Sequence, residues 1–247
     1  MKSLSTSGFT IIEVMLVLAI SSLLTMGAII GLSGSLNTQR YRDSVSSLQS
    51  LIQKQFSDVN NVSNVDSTLN CAVVAGAPVL TDAGVNVSKG KTDCVILGKL
   101  ITTNDGKTVF TYNVIGAAIS GAFTGDVAML QASKIILNSV GVESYDLEWG
   151  ASLKNINGTV AKFSVLIVRS PASGAIRAFI DPAIGIASSG DTINLRNIIT
   201  AGKLQSQLKV CVKSDGSIRS DRTAIFIKAG AASSSSVETQ GESTSGC

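Results

Sequence analysis

Glu13 is the residue of this chain that most clearly suggests chemistry, because it is a charge inside an apolar segment. From Phe9 to Leu32 the sequence reads FTIIEVMLVLAISSLLTMGAIIGL, and Glu13 is its only charged residue. A carboxylate in a membrane helix costs up to ~2.5–3.5 kcal/mol on insertion scales unless a partner neutralises it. We expect that partner to be the free α-amino group of a chain cleaved after Gly8, its own or a neighbour's. The alternative is a boundary glutamate whose carboxylate reaches the aqueous interface.

Cysteine is the second residue type whose side chains could do chemistry. The four cysteines lie at positions 71, 94, 211 and 247, without a CxxC spacing and without a histidine that could complete a zinc site. Three connectivities are possible. We expect the sequential pairs Cys71–Cys94 and Cys211–Cys247 in an oxidising compartment. The alternative is four buried free thiols.

Enzymatic chemistry finds little support. The chain has no histidine, which removes the commonest general base, and it has no Walker loop, no GxGxxG, no GxSxG and no HExxH. Glu143, Asp146 and Glu148 could pair for acid/base work or bind Ca²⁺, but we interpret them as a solvated strand face. We therefore expect no enzyme activity, no cofactor and no metal.

The charge of the chain is +3 overall, which does not mark a nucleic-acid binder. Basic residues nevertheless exceed acidic ones between Arg196 and Lys228. Alternation along a strand would place Lys209 and Lys213 on one face, where they could follow a phosphate backbone. Ordinary surface lysines would give the same pattern.

The apolar segment 9–32 is predicted to be a transmembrane helix, since it is long enough for a hydrocarbon layer of roughly 30 Å. A secretory signal peptide has a shorter apolar region, followed by its cleavage site, whereas here Gly8 precedes the run. Residues 1–8 are polar and include Lys2, which favours a cytoplasmic leader and an extracytoplasmic head. Arg40 and Arg42, just beyond the segment, are interpreted as interfacial anchors.

The run Gly8-Phe9-Thr10-Ile11-Ile12-Glu13-Val14 resembles the GFTLIEV signature of type IV prepilins and type II secretion pseudopilins. The resemblance implies that a prepilin peptidase of the inner membrane cleaves between Gly8 and Phe9 and N-methylates Phe9. It also implies that Glu13 sets the register between pilin subunits in a filament outside the cell or in the periplasm. It suggests a minor pilin-like member.

Two other functions remain open within this resemblance. One is a type II secretion pseudopilin. The other is a minor pilin that binds DNA during uptake, because Val210–Gly216 resembles a VCxxxDG segment of such proteins. The basic residues expected to contact DNA are then Lys209, Lys213, Arg219 and Arg222.

The remaining sequence predicts an α+β fold. Apolar residues at spacings of three to five continue the helix amphipathically over 33–61, although Gly27, Gly31 and Gly34 favour a bend. A β-rich head over 62–228 follows, packed on this helix as an antiparallel sheet.

Three hairpins are expected in the head, around Asn104–Gly106, Asn155–Gly158 and Ser214–Gly216. A strand Gly174–Ile180 should follow a turn at Pro171–Gly174. Asp126–Asn138 is expected to be a short helix and Thr192–Gln207 to be irregular. The tail 229–247 is rich in Ala, Ser, Gly and Thr, and we expect it to be flexible, with Cys247 bridged to Cys211.

Overall fold

The computed structural model of the chain describes residues 8–61, 69–74, 77–82, 94–117, 121, 123–171, 173–186, 192–214, 223–241 and 246–247. Its fold is α+β, as predicted: an N-terminal helix followed by antiparallel sheets. The helices are α1 (Ile11–Asn60), α2 (Asp126–Ala132), α3 (Thr192–Ile198) and α4 (Ala201–Leu204). The strands are β1 (Leu69–Val74), β2 (Ala77–Asp82), β3 (Cys94–Thr103), β4 (Thr108–Ala117), β5 (Ile136–Asp146), β6 (Ala151–Lys154), β7 (Phe163–Arg169), β8 (Ile176–Asp181), β9 (Leu208–Ser214), β10 (Thr223–Ile227) and β11 (Val237–Gln240).

Helix α1 is continuous over 50 residues, so the glycines expected to favour a bend do not interrupt it. Its second half packs on the head through residues at spacings of three or four, which is the period of one helix face. The buried apolar residues of this face are Tyr41, Val45, Leu48, Ile52, Phe56 and Val59. Leu36, five residues before Tyr41, is exposed. The head therefore begins near Tyr41.

A five-stranded antiparallel sheet in the order β5-β4-β3-β7-β8 is buried on both faces. In β7, Val165 and Ile167 face α1, whereas Leu166 and Val168 face the opposite cluster with α2 and α3. Burial on both sides explains why these strands read as continuous apolar runs instead of alternating ones. The β3–β4 hairpin at Asn104–Gly106 is present as predicted.

A four-stranded sheet in the order β11-β10-β9-β6 completes the core around α1, and a separate hairpin pairs β1 with β2. The predicted β9–β10 hairpin is present, although its turn at 215–222 lies outside the described residues. The predicted strand after Pro171–Gly174 corresponds to β8.

The hairpin predicted around Asn155–Gly158 forms only next to its turn, where Asn155 N donates to Thr159 O and Ala161 N donates to Leu153 O. The turn itself forms, since Gly158 N donates to Asn155 O at 2.9 Å. However, β6 pairs with β9 and β7 pairs with β3 and β8, so only an isolated bridge joins Lys154 to Val160. The two strands that flank the turn, β6 and β7, belong to different buried sheets, so their pairing with each other does not extend beyond the turn.

The prediction that the tail is flexible was wrong for the tail residues that the structure describes. Val237–Gln240 forms β11 on the edge of β10, and the side chains of Gln49 and Gln53 both donate to Val237 O, at 3.3 and 3.2 Å. Val237 is buried against α1. The tail thus completes a sheet.

Two shorter predictions need correction as well. Thr192–Gln207 contains α3 and α4 instead of irregular chain, and Thr200 caps α4 by accepting from Lys203 N at 3.3 Å. The helix expected over Asp126–Asn138 ends at Ala132, because the chain enters β5 at Ile136.

Candidate functional site

The start of α1 carries the residues that the sequence singled out. Gly8 and Phe9 precede the helix, with open space around Gly8 and Phe9 82% exposed. Thr10 is the N-cap, and its Oγ1 accepts from Glu13 N at 3.3 Å. Because the cap and the helix both lie after the Gly8–Phe9 bond, cleavage of that bond would leave the helix start intact.

Glu13 lies in the first turn of α1, at the spacing Thr-x-x-Glu of a capping box. A carboxylate at this position is stabilised by the positive end of the helix dipole. This local effect explains why a helix would tolerate Glu13 here. It does not supply a positive charge, and within the described residues the Glu13 carboxylate forms no ion pair.

The first half of α1 is not covered by the rest of the described chain. Residues Ile11–Ile29 form a helix long and apolar enough to cross a membrane, and none of it is buried. Large apolar side chains are exposed from Ile11 to Ile29 around the helix, not on one stripe. An apolar helix of this kind requires lipid or other apolar helices around it.

Two hydroxyls inside this segment donate to backbone carbonyls of the helix itself. Ser22 Oγ donates to Ala19 O at 2.9 Å, and Thr25 Oγ1 donates to Ser21 O at 2.8 Å. Such bonds remove the cost of placing a hydroxyl in a medium without water. Glu13 is the one ionisable side chain in Ile11–Ile29.

Three contacts connect the helix to the head where the exposed half ends. Tyr41 Oη donates to Val212 O and accepts from Thr223 N, both at 2.9 Å. The guanidinium of Arg40 lies 4.7 Å from the centre of the Trp149 ring, which is a cation–π distance. Arg40 and Arg42, interpreted as interfacial anchors, are both exposed, and Arg40 contacts the head.

Trp149 was not identified from the sequence. It follows β5 with φ 60° and ψ 30°, a left-handed conformation that is uncommon for a bulky residue. Its ring remains about half exposed. Nothing in the local sequence indicates this conformation or the contact of the ring with Arg40.

The basic residues expected to contact DNA are only partly described. Lys209 and Lys213 lie on β9 with the parity opposite to Leu208, Val210 and Val212, which face the core, so both lysines face outward. Arg219 and Arg222 lie outside the described residues. The register of β6 on β9 adds Lys154, opposite Cys211, to the same outer face.

The cysteines are consistent with the expected pairs as far as they are described. Cys211 and Cys247 form a disulfide with 5.7 Å between their Cα atoms. Cys94 is disulfide-bonded too, while the side chain of Cys71, its expected partner, lies outside the described side chains.

The carboxylates around Tyr145 do not converge. Asp146 accepts from Thr108 Oγ1 at 2.7 Å at the end of β5, and Glu148 lies beyond it in a short 3₁₀ turn, so the two do not share a strand face. Within the described residues, no group of three or more His, Cys, Asp or Glu could hold a metal ion.

Comparisons with family models, curated proteins and solved structures gave no match to this chain. The geometry of α1 therefore carries the functional argument.

Proposed function

We propose that the chain is a structural subunit of a type IV pilus-like filament. A prepilin peptidase cleaves it after Gly8 and N-methylates Phe9, and it polymerises through the exposed half of α1. The observation that carries this proposal is an apolar half-helix, exposed all round, with a single carboxylate in its first turn and a rigid continuation into the head.

The exposed half has two successive environments in this proposal. Before assembly it spans the inner membrane, with the leader in the cytoplasm and the head outside. In the filament, which is extracellular or periplasmic, identical helices replace lipid. Both environments are apolar and suit the same surface.

Glu13 then determines how the helices align. The ammonium group of Phe9 in a neighbouring subunit is a partner of opposite charge, and any other stagger leaves a charge unpaired in an apolar bundle. Breaking a buried pair costs about 3–5 kcal/mol, which is sufficient to select one register. Apolar packing alone would select the register between helices less strictly, because successive turns of the helix present similar apolar side chains.

Photo-crosslinking of the full chain in native membranes tests polymerisation. A photoreactive amino acid in place of Leu18 should give a ladder of covalent oligomers, because Leu18 is exposed on the half-helix. The ladder should weaken when Glu13 is changed to Ala. Products joined only to lipid, with no oligomers, would contradict assembly through the helix.

A type II secretion pseudopilin would use the same helix. The genes next to that of this chain distinguish a pilus subunit from a pseudopilin. Competence or retraction-motor genes support a pilus, and secretin and exoprotein genes support a pseudopilus.

DNA binding is a second candidate, and the shared outer face of Lys154, Lys209 and Lys213 favours it. Because phosphate contacts are salt-dependent, the full chain in detergent should retard DNA more strongly at low salt. Changing the three lysines to Ala should abolish this retardation. No retardation at low salt would reject this candidate.

A further inference from the structure

The turn between β6 and β7 carries a motif that the proposed function does not use. The triplet Asn-x-Ser/Thr, with any residue but proline in the middle, is the acceptor for sugars attached to asparagine in secreted proteins. The chain has it at Asn157-Gly158-Thr159 and at positions 61–63 and 86–88. Residues 62–63 and 86–88 lie outside the described residues, whereas all three residues of the Asn157 triplet are described. Because such triplets are common in sequences, the position and conformation of this one decide whether a transferase can use it.

The position of the Asn157 triplet is accessible. Every residue from Ile156 to Val160 is exposed, and nothing lies within 4 Å of a Cβ built at Gly158. The hydrogen bonds that form the turn are local, since Gly158 N donates to Asn155 O at 2.9 Å and Asn155 N donates to Thr159 O at 2.8 Å. None of these residues belongs to a ladder beyond the isolated bridge at Val160. A bulky group can therefore be attached at this turn without displacing the core.

The conformation of the turn brings the asparagine and threonine side chains together. Oδ1 of Asn157 accepts from Thr159 N at 3.1 Å and from Thr159 Oγ1 at 2.6 Å. Oγ1 of Thr159 also accepts from Asn155 Nδ2 at 3.0 Å, which holds the hydroxyl in place. Gly158 between them has a φ of 82°, which glycine adopts without steric cost. The hydroxyl that the acceptor motif requires is thus bound to the amide that would be modified.

The nitrogen of the same amide is left for chemistry. Two donors occupy Oδ1 of Asn157, whereas Nδ2 has no hydrogen-bond partner among the described residues. A backbone N–H can only donate, so the atom that it contacts is the oxygen and the other atom is the nitrogen. The amide therefore has one defined orientation, and its nitrogen is exposed and unpaired.

We propose that Asn157 is an N-glycosylation site whose co-substrate is a sugar carried on a lipid pyrophosphate. A membrane oligosaccharyltransferase joins Nδ2 of Asn157 to the anomeric carbon of the sugar. The bond from that carbon to the pyrophosphate oxygen breaks, the lipid pyrophosphate leaves with the electron pair, and Nδ2 loses one proton. This proposal rests on the proposed function, because it requires the head to lie on the extracytoplasmic side of the membrane.

Peptide mass spectrometry of the full chain, extracted from its native membrane and digested with trypsin, tests the site. The peptide Asn155–Lys162 should carry a sugar, and fragmentation should place that sugar on Asn157. Asn157→Gln should lose the sugar, and so should Thr159→Val, which removes the hydroxyl. Thr159→Ser is the matched control, because it keeps a hydroxyl at this position, and it should retain the sugar.

A peptide Asn155–Lys162 without sugar in the parent chain would overturn the proposal. A sugar on Asn155 or on Thr159 would overturn it as well, because the acceptor would then be another atom. Retention of the sugar in Thr159→Val would also contradict it, since the hydroxyl would have no part in recognition.

The N-terminal peptide Phe9–Arg40 of the same digest reports separately on the proposed function. Because the sugar adds to the mass of the whole chain, the methyl group on Phe9 is then measured on this peptide. A chain that begins at methylated Phe9 without a sugar on Asn157 would overturn glycosylation alone. A sugar on Asn157 in a chain without that N-terminus would contradict the prepilin-type processing and support the glycosylation.

Discussion

The hydroxyl of Tyr41 joins Val212 to Thr223, two residues that face each other in the β9–β10 ladder. It donates to the carbonyl of one and accepts from the amide of the other, both at 2.9 Å. A side chain of α1 thus takes part in the hydrogen bonding of the four-stranded sheet. Together with the buried apolar residues that follow it in α1, from Val45 to Val59, this contact joins the helix to the head.

Tyr41→Phe should therefore destabilise the head. The variant keeps the ring in the core but leaves a buried carbonyl and an amide without this partner, which costs about 1–3 kcal/mol. Denaturant unfolding of the full chain in detergent measures the loss. Tyr112→Phe is the control, because its ring lies in the cluster on the opposite face of the five-stranded sheet. Equal losses in the two variants would contradict a special role for Tyr41.

Gly98→Ala should damage the pairing of β3 with β7. A Cβ at Gly98 would lie 1.9 Å from Ile167 O, on backbone that cannot move without breaking the ladder. We expect a loss of about 1–3 kcal/mol or more in the free energy of unfolding, as for overpacked cores. Gly202→Ala in α4 has nothing within 4 Å of its Cβ and should be neutral or slightly stabilising. Equal changes in the free energy of unfolding for Gly98→Ala and Gly202→Ala would contradict the close approach of Gly98 to Ile167 O.

Asp126 should make the stability of the head depend on acid pH. The hydrogen bond from Ser170, with those from Ser173 and Arg177, outweighs desolvation and holds the pKa of Asp126 below its ordinary value of 3.8. Because the folded-state pKa is the lower one, its contribution is complete above the unfolded pKa and is lost as the pH falls through the folded pKa.

Unfolding measurements on the parent chain and on Asp126→Asn, from neutral to acid pH, check the direction of this pH dependence. The parent should be more stable at neutral pH, and the difference should shrink below about pH 4, where the unfolded carboxyl is protonated. A difference that grows on acidification would contradict the assignment.

Glu13→Ala should leave membrane insertion and cleavage intact but reduce incorporation into filaments. Removing the charge makes insertion easier, while the register between helices loses its charged partner. The measurement is the fraction of subunits in sheared filaments relative to membranes. Glu143→Ala is the control, because its 3.9 Å pair with Lys54 is exposed and contributes about 0–1 kcal/mol. Normal incorporation of Glu13→Ala would refute the registration role.

The sequence predicted those parts of the molecule whose signals are local. The stripe from Tyr41 to Val59 has helical spacing, and Asn104-Asp105-Gly106 supplies the turn between β3 and β4. Asp105 Oδ1 accepts from Lys107 N and Thr108 N at 2.8 and 2.9 Å, which stabilises that turn. Both structures follow from residues close together in the chain.

The remaining errors come from distant partners. β6 leaves its local turn to pair with β9, some sixty residues later, and β11 forms in a Ser-rich tail because Val237 is buried against α1. Composition does not reveal such pairing. The contact of Trp149 with Arg40 is likewise a property of the folded chain.

Intact mass spectrometry of the chain extracted from its native membrane tests the central claim most directly. The account predicts a mature chain that begins at Phe9 and carries one additional methyl group, with the apolar half of α1 retained. A chain cut after the apolar segment, as a secretory signal peptide would be, or one still beginning at Met1, would contradict it.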